Sequence, residues 1–109
     1  MDARTLKALK GSIRKWTRIV NGTGVDDGVA NCPLCREFHV DARGRCFGCP
    51  VRQRVHNFGC AGTPYDEWRR GNSLHRRYEL PLRATNRQLR KAAKAELDFL
   101  KSLLPESER

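Results

Sequence analysis

Residues 31–60 read NCPLCREFHVDARGRCFGCPVRQRVHNFGC, and the placing of their cysteines decides what kind of fold to expect. Cys32 and Cys35 form one Cys-x-x-Cys pair, Cys46 and Cys49 a second, and Cys60 follows after ten intervening residues. Two residues between cysteines let a tight turn aim both sulfurs at one point about 2.3 Å away, and two such knuckles complete a tetrahedron around Zn²⁺. One zinc ion per chain is the expectation. Cys32, Cys35, Cys46 and Cys49 are the simplest ligand set, and Cys60 can replace one of the second pair, so all five are candidate metal ligands. The ten residues between the pairs suffice for two short strands or a loop, with Asp41-Ala42-Arg43-Gly44 as the turn. Iron–sulfur ligation, a redox dithiol and plain buried or disulfide-linked thiols are the competing readings. His39 and His56 are possible donors too, but each lies outside a knuckle spacing and reads more simply as a surface side chain.

The rest of the chain explains why a metal is needed. It has 109 residues, enough for one small domain, and its apolar content of 39% falls below the roughly 45–50% of ordinary globular chains. A core of ordinary size is excluded, and such chains commonly add a metal, disulfides or a partner. The first twenty residues are interrupted by Arg or Lys every three or four positions, so they hold no secretory apolar stretch, and no run is long enough to span a bilayer. A reducing cytoplasm is therefore expected, where clustered cysteines bind metal more often than they pair.

Charge divides the chain into three parts. The net charge of +10 splits into +5 for residues 1–20, −1 for 21–68 and +6 for 69–109. In a single domain spanning 1–109, these are a basic amphipathic helix, a cysteine-rich zinc module, and a basic segment with a C-terminal helix. Leu6, Leu9, Ile13, Trp16 and Val20 recur at helical spacing over residues 3–20, with Lys7, Lys10, Arg14 and Arg18 on the opposite face. Gly11 weakens that helix by about 1 kcal/mol relative to Ala, and Asn21-Gly22-Thr23-Gly24 stops it. A second helix is expected over residues 86–104, opened by a capping box of Thr85 and Gln88 and closed by Pro105. Leu89, Ala93, Leu97, Leu100 and Leu104 form its apolar stripe, and Arg87, Arg90, Lys91, Lys94 and Lys101 its other face. The fold class expected is small α+β: a zinc-knuckle or zinc-ribbon-like centre with minor strands, flanked by N- and C-terminal amphipathic helices.

The runs VNGTGVDDGVANCPLC, GRCFGCPV and GCAGTPYDEW together resemble a group of small cysteine-rich proteins of tailed bacteriophages and prophages. Their shared pattern joins five cysteines to Pro33, Gly48, Pro50, Thr63, Pro64, Tyr65 and Trp68, covering about residues 20–68. The resemblance implies phage origin, metal binding and residence in the bacterial host's cytoplasm, and it gives Cys60 added weight as a ligand. It implies no particular activity. Within the last run, Thr63-Pro64 suits a chain entering a helix, and Tyr65 and Trp68, three apart, share a face that packs over the zinc knuckles as a miniature core, with a stacking surface for bases or a partner anchor as the alternative.

No catalytic frame stands out. Gly-x-Ser-x-Gly, His-Glu-x-x-His, a phosphate-cradling loop and the zinc-deaminase pattern are all missing from the sequence. Asp26 and Asp27 read as solvated loop acids, and His39, His56 and His75 sit in no diagnostic spacing. The expected function is therefore non-enzymatic. Basic flanks on a near-neutral centre suit a polyanion, because each Lys or Arg that neutralises a phosphate releases condensed counterions. Nucleic acid is the first expected partner, with Arg14, Arg18, Arg69, Arg70, Arg76, Arg77, Arg87, Arg90 and Lys94 as contacts. An acidic host protein is the alternative partner, and a metal-dependent nuclease the second alternative.

Overall fold

The computed structural model describes residues 1–38, 48–55, 62–72 and 81–109. Five α-helices account for most of them: α1 (Ala3–Val20), α2 (Pro33–Phe38), α3 (Pro50–Val55), α4 (Tyr65–Gly71) and α5 (Arg87–Ser102). Short 3-10 turns lie at Gly28–Asn31 and Glu106–Glu108.

The expected α+β class is thereby corrected to all-α. Among the described residues the one β feature is an isolated antiparallel bridge, in which Asp26 and Leu82 exchange two backbone hydrogen bonds of 2.8 Å. The physical reason lies in the prolines. Pro33 and Pro50 each directly follow a cysteine and occupy the first position of a helix, where the missing N–H costs nothing and the fixed φ is already helical. Part of the interval given to strands is therefore helix. The turn expected at Asp41–Gly44 lies outside the described residues.

α1 begins with the Asp2 carboxylate accepting from the Thr5 amide at 2.8 Å, and it runs through Gly11 unbroken. It ends as the sequence indicates: the amides of Gly22, Thr23 and Gly24 return to the carbonyls of Ile19 and Arg18. Gly24 is required there, because a Cβ would come within 2.7 Å of Arg18 Cβ and 2.8 Å of the Ile19 amide nitrogen. The buried face of α1 is Ala8, Leu9, Ser12, Trp16 and Ile19, rotated by roughly 70° from the expected stripe at about 100° per residue. Leu6, Ile13 and Val20 are half-buried at its edge. The rotation draws Lys15 inward, with consequences for the site.

α5 packs against α1 and α4, burying Leu89, Ala93, Glu96, Leu97 and Leu100. Its cap differs from the capping box expected at Thr85. Asn86 is the N-cap, accepting from the Leu89 amide at 2.8 Å. α1 packs along α5, and Lys10 pairs with Glu108 just beyond the end of α5. α4 meets the start of α5 at Gly71, where a Cβ would stand 2.6 Å from Leu89 Cδ2. Among the described residues, no helix is long and apolar enough to cross a membrane.

Candidate metal centre and basic surface

Asp26 organises the middle of the molecule. It is fully buried, not the solvated loop acid expected from the sequence. One carboxylate oxygen accepts from Lys15 Nζ at 2.8 Å and the Gly28 amide at 2.9 Å; the other accepts from Tyr65 Oη and Trp68 Nε1, both at 2.8 Å. Burial alone would raise the Asp26 carboxyl, but the Lys15 charge and these hydrogen bonds outweigh it and hold it below the ordinary carboxylate value. Trp16 stands edge-on to both partners, with ring centroids 5.8 Å from Tyr65 and 5.3 Å from Trp68. Tyr65 and Trp68 share a face and belong to the core, but they pack on α1 and Asp26 and not over zinc knuckles as expected. Thr63 Oγ1 accepts from the Tyr65 amide at 3.2 Å as the chain enters α4.

Directly beside this hub, Cys32 and Cys35 bracket the start of α2. The Cys35 amide donates to Cys32 Sγ at 3.2 Å, which turns the pair into a compact loop. Hydrogen bonding from the Cys35 thiol, with help from the Cys35 and Leu34 amides and the Lys15 charge, pulls the Cys32 thiol down to about 6 despite burial. A thiolate at neutral pH is what a zinc ligand must be, so this pair fits one half of a zinc site. Cys49 is buried, and the adjacent Gly48 lies against the Phe38 ring at the end of α2. Among the described residues, however, no three Cys, His, Asp or Glu side chains gather as a group that could hold a metal ion, Cys32, Cys35 and Cys49 included. Cys46 and Cys60 lie outside the described residues, as do His39, His56 and His75.

Glu96 is the functional-looking residue that the sequence reading missed. It is buried, and its Oε2 finds no hydrogen-bond partner among the described residues. Burial raises its carboxyl to about 8, with the nearby Cys32 and Asp26 charges adding to the rise and Lys15 and the Tyr65 amide opposing it. A signal was present: at about 100° per residue, Glu96 falls at the edge of the arc of Leu89, Ala93, Leu97 and Leu100, about 20° beyond Leu89.

The basic candidates separate cleanly from this interior. Arg14, Arg18, Arg69, Arg70, Arg87, Arg90 and Lys94 are all exposed. The Gly71–Leu89 contact brings Arg69 and Arg70 of α4 beside Arg87 and Arg90 at the start of α5. Arg70 also pairs with Glu67 at 2.9 Å, and Arg69 lies over the Tyr65 ring. Arg14 and Arg18 lie on the exposed face of α1, and Arg76 and Arg77 lie outside the described residues. Fold and site together define a small all-α protein with a cysteine pair beside a buried ion-pair hub and arginines gathered where α4 meets α5. Comparison with protein-family models, curated proteins and solved structures found no match, so function has to be argued from these residues.

Proposed function

We propose that this chain is a small non-enzymatic protein of the tailed-phage type that binds nucleic acid, with its cysteine-rich centre held by one zinc ion. The observation that carries the reading is the gathering of exposed arginines from the end of α4 and the start of α5. Asp26 is consumed inside, Glu67 pairs with Arg70, and Arg87 and Arg90 are exposed. Each phosphate neutralised contributes about −0.9 to the slope of log affinity against log salt, so a cluster of this size predicts steep salt dependence. The Cys32–Cys35 pair supports zinc on this reading, with the remaining ligands drawn from Cys46, Cys49 and Cys60.

The deciding experiment is anisotropy binding of labelled nucleic acid over a salt series, with wild type, Arg69→Ala/Arg70→Ala and Arg87→Ala/Arg90→Ala. Weakened binding and a shallower salt slope in both variants support the reading. Binding indifferent to salt and to both variants moves the protein to the alternative, an acidic host-protein partner. Native mass spectrometry of wild type and Cys60→Ser, purified without chelator, tests the metal. One zinc retained in the variant assigns it to the two knuckles, and loss of zinc brings Cys60 into the set.

A further inference from the structure

We infer that the outer face of α5 is a groove-reading surface that enters the major groove of duplex DNA. The inference rests on the nucleic-acid reading and adds the form of nucleic acid and the element that reads it. Over its first two and a half turns α5 exposes Arg87, Gln88, Arg90, Lys91, Lys94 and Ala95. At about 100° per residue they span an arc of roughly 160°, opposite the face packed on α1 and α4. A helix with its side chains is about 10–12 Å across, which matches a major groove about 12 Å wide. The chemistry matches as well: Arg and Lys donate to guanine O6 and N7, Gln pairs with adenine N6 and N7, and a small apolar side chain such as Ala95 meets the thymine methyl. Arg69 and Arg70, held beside the first turn of α5 by the Gly71–Leu89 contact, sit where phosphates flanking the groove would pass.

Two observations set α5 apart from α1, whose outer face is also basic. On α1, Arg4 is tied to Glu37 and Lys10 to Glu108, and the exposed bases come with no Asn or Gln among them. On α5 the one acid of the outer face, Asp98, comes after Ala95 and is neutralised by Lys94 at 2.8 Å, so the reading portion carries no acid. Among the described residues, single strands fit less well: they are held by stacking on exposed aromatic rings, whereas Trp16 and Trp68 are buried and Tyr65 half-buried. Duplex RNA fits less well still, since its major groove is too narrow for a helix.

The test measures affinity for a short duplex DNA, the duplex RNA of the same sequence and the single DNA strand. Methyl green and netropsin serve as competitors for the major and minor grooves, and the Gln88→Ala/Lys91→Ala variant reports on α5. The expected results are DNA duplex affinity about tenfold or more above both alternatives, stronger competition by methyl green than by netropsin, and a five- to hundredfold loss in the variant, roughly one to two base contacts' worth. Equal binding of duplex RNA or single strands, competition by netropsin alone, or an unaffected variant would overturn the groove assignment while leaving nucleic-acid binding in place. Binding to none of the three would overturn both. Both substituted residues are exposed, and a circular dichroism melt matching wild type ties any loss to the surface.

Discussion

Removing the Asp26 carboxylate is the sharpest perturbation available. In Asp26→Ala, Lys15 keeps its charge with a side chain only 9% exposed and loses its ion-pair partner, and Trp68 Nε1 and Tyr65 Oη lose their acceptor. Breaking a buried ion pair by deleting one partner costs about 3–5 kcal/mol, and a buried donor left without an acceptor about 1–3 kcal/mol. These terms overlap, because Lys15 can swing its ammonium toward water and Tyr65 is half-buried, so a loss of about 4 kcal/mol is expected. Set against a total of about 5–15 kcal/mol, that brings the protein near its unfolding threshold, with a melting temperature lower by about 20 °C. Urea denaturation followed by Trp fluorescence measures it. The double variant Lys15→Met/Asp26→Ala should recover part of the loss, since it removes the stranded charge. The pH dependence has a definite sign: the folded Asp26 carboxyl lies below its unfolded value of 3.8, so its contribution is full above that value and disappears as pH falls through the folded one. The gap between wild type and Asp26→Ala should therefore narrow in acid. A loss under about 1 kcal/mol at neutral pH, or a gap that widens in acid, would refute the account of Asp26 as an ionised hub.

Three further outcomes follow from named contacts. Glu96 has a folded carboxyl near 8 against 4.5 unfolded, so the wild type loses stability as pH rises from 4.5 toward 8. Glu96→Gln should then be more stable than wild type at pH 8, by on the order of 2 kcal/mol or more, and nearly equal at pH 4.5. An identical difference at both pH values in urea titrations would contradict the buried, protonated carboxyl. Gly24→Ala places a methyl within 2.8 Å of the Ile19 amide nitrogen, a backbone atom that cannot step aside. It should cost about 2 kcal/mol in thermal melts, and a neutral result would mean that the turn after α1 is looser than described. Asn86→Ala should cost about 1 kcal/mol while Thr85→Ala costs almost nothing, which separates the observed cap from the capping box at Thr85.

The two long helices were legible because their signals are local. The spacing of Leu9, Trp16 and their neighbours, the stop at Asn21–Gly24, and the stripe of Leu89, Ala93, Leu97 and Leu100 all act within a few turns of one segment. The helical centre was legible in principle as well, since Cys32-Pro33 and Cys49-Pro50 carry the same helix-opening proline as Thr63-Pro64. Knuckle spacing drew the reading to strands instead. The exposed bases, too, follow from composition and helical periodicity, because charged side chains stay in water unless something specific draws them in.

What sequence could not supply was the pairing of groups far apart in the chain. Asp26 joins Lys15, eleven residues before it, to Tyr65 and Trp68, some forty after it, and nothing in GTGVDDG distinguishes it from Asp27. The indirect hint was that two tryptophans in a small core need an acceptor for each buried N–H. Likewise the meeting of Arg69 and Arg70 with Arg87 and Arg90 depends on Gly71 admitting Leu89. The sequence by itself determined the two long helices, the cysteine pairs and the sign of the surface. The tertiary structure decided which acid is buried, which face of α1 turns inward and which arginines stand together, since ion pairing and close packing act through space between segments whose separation along the chain carries no trace of them.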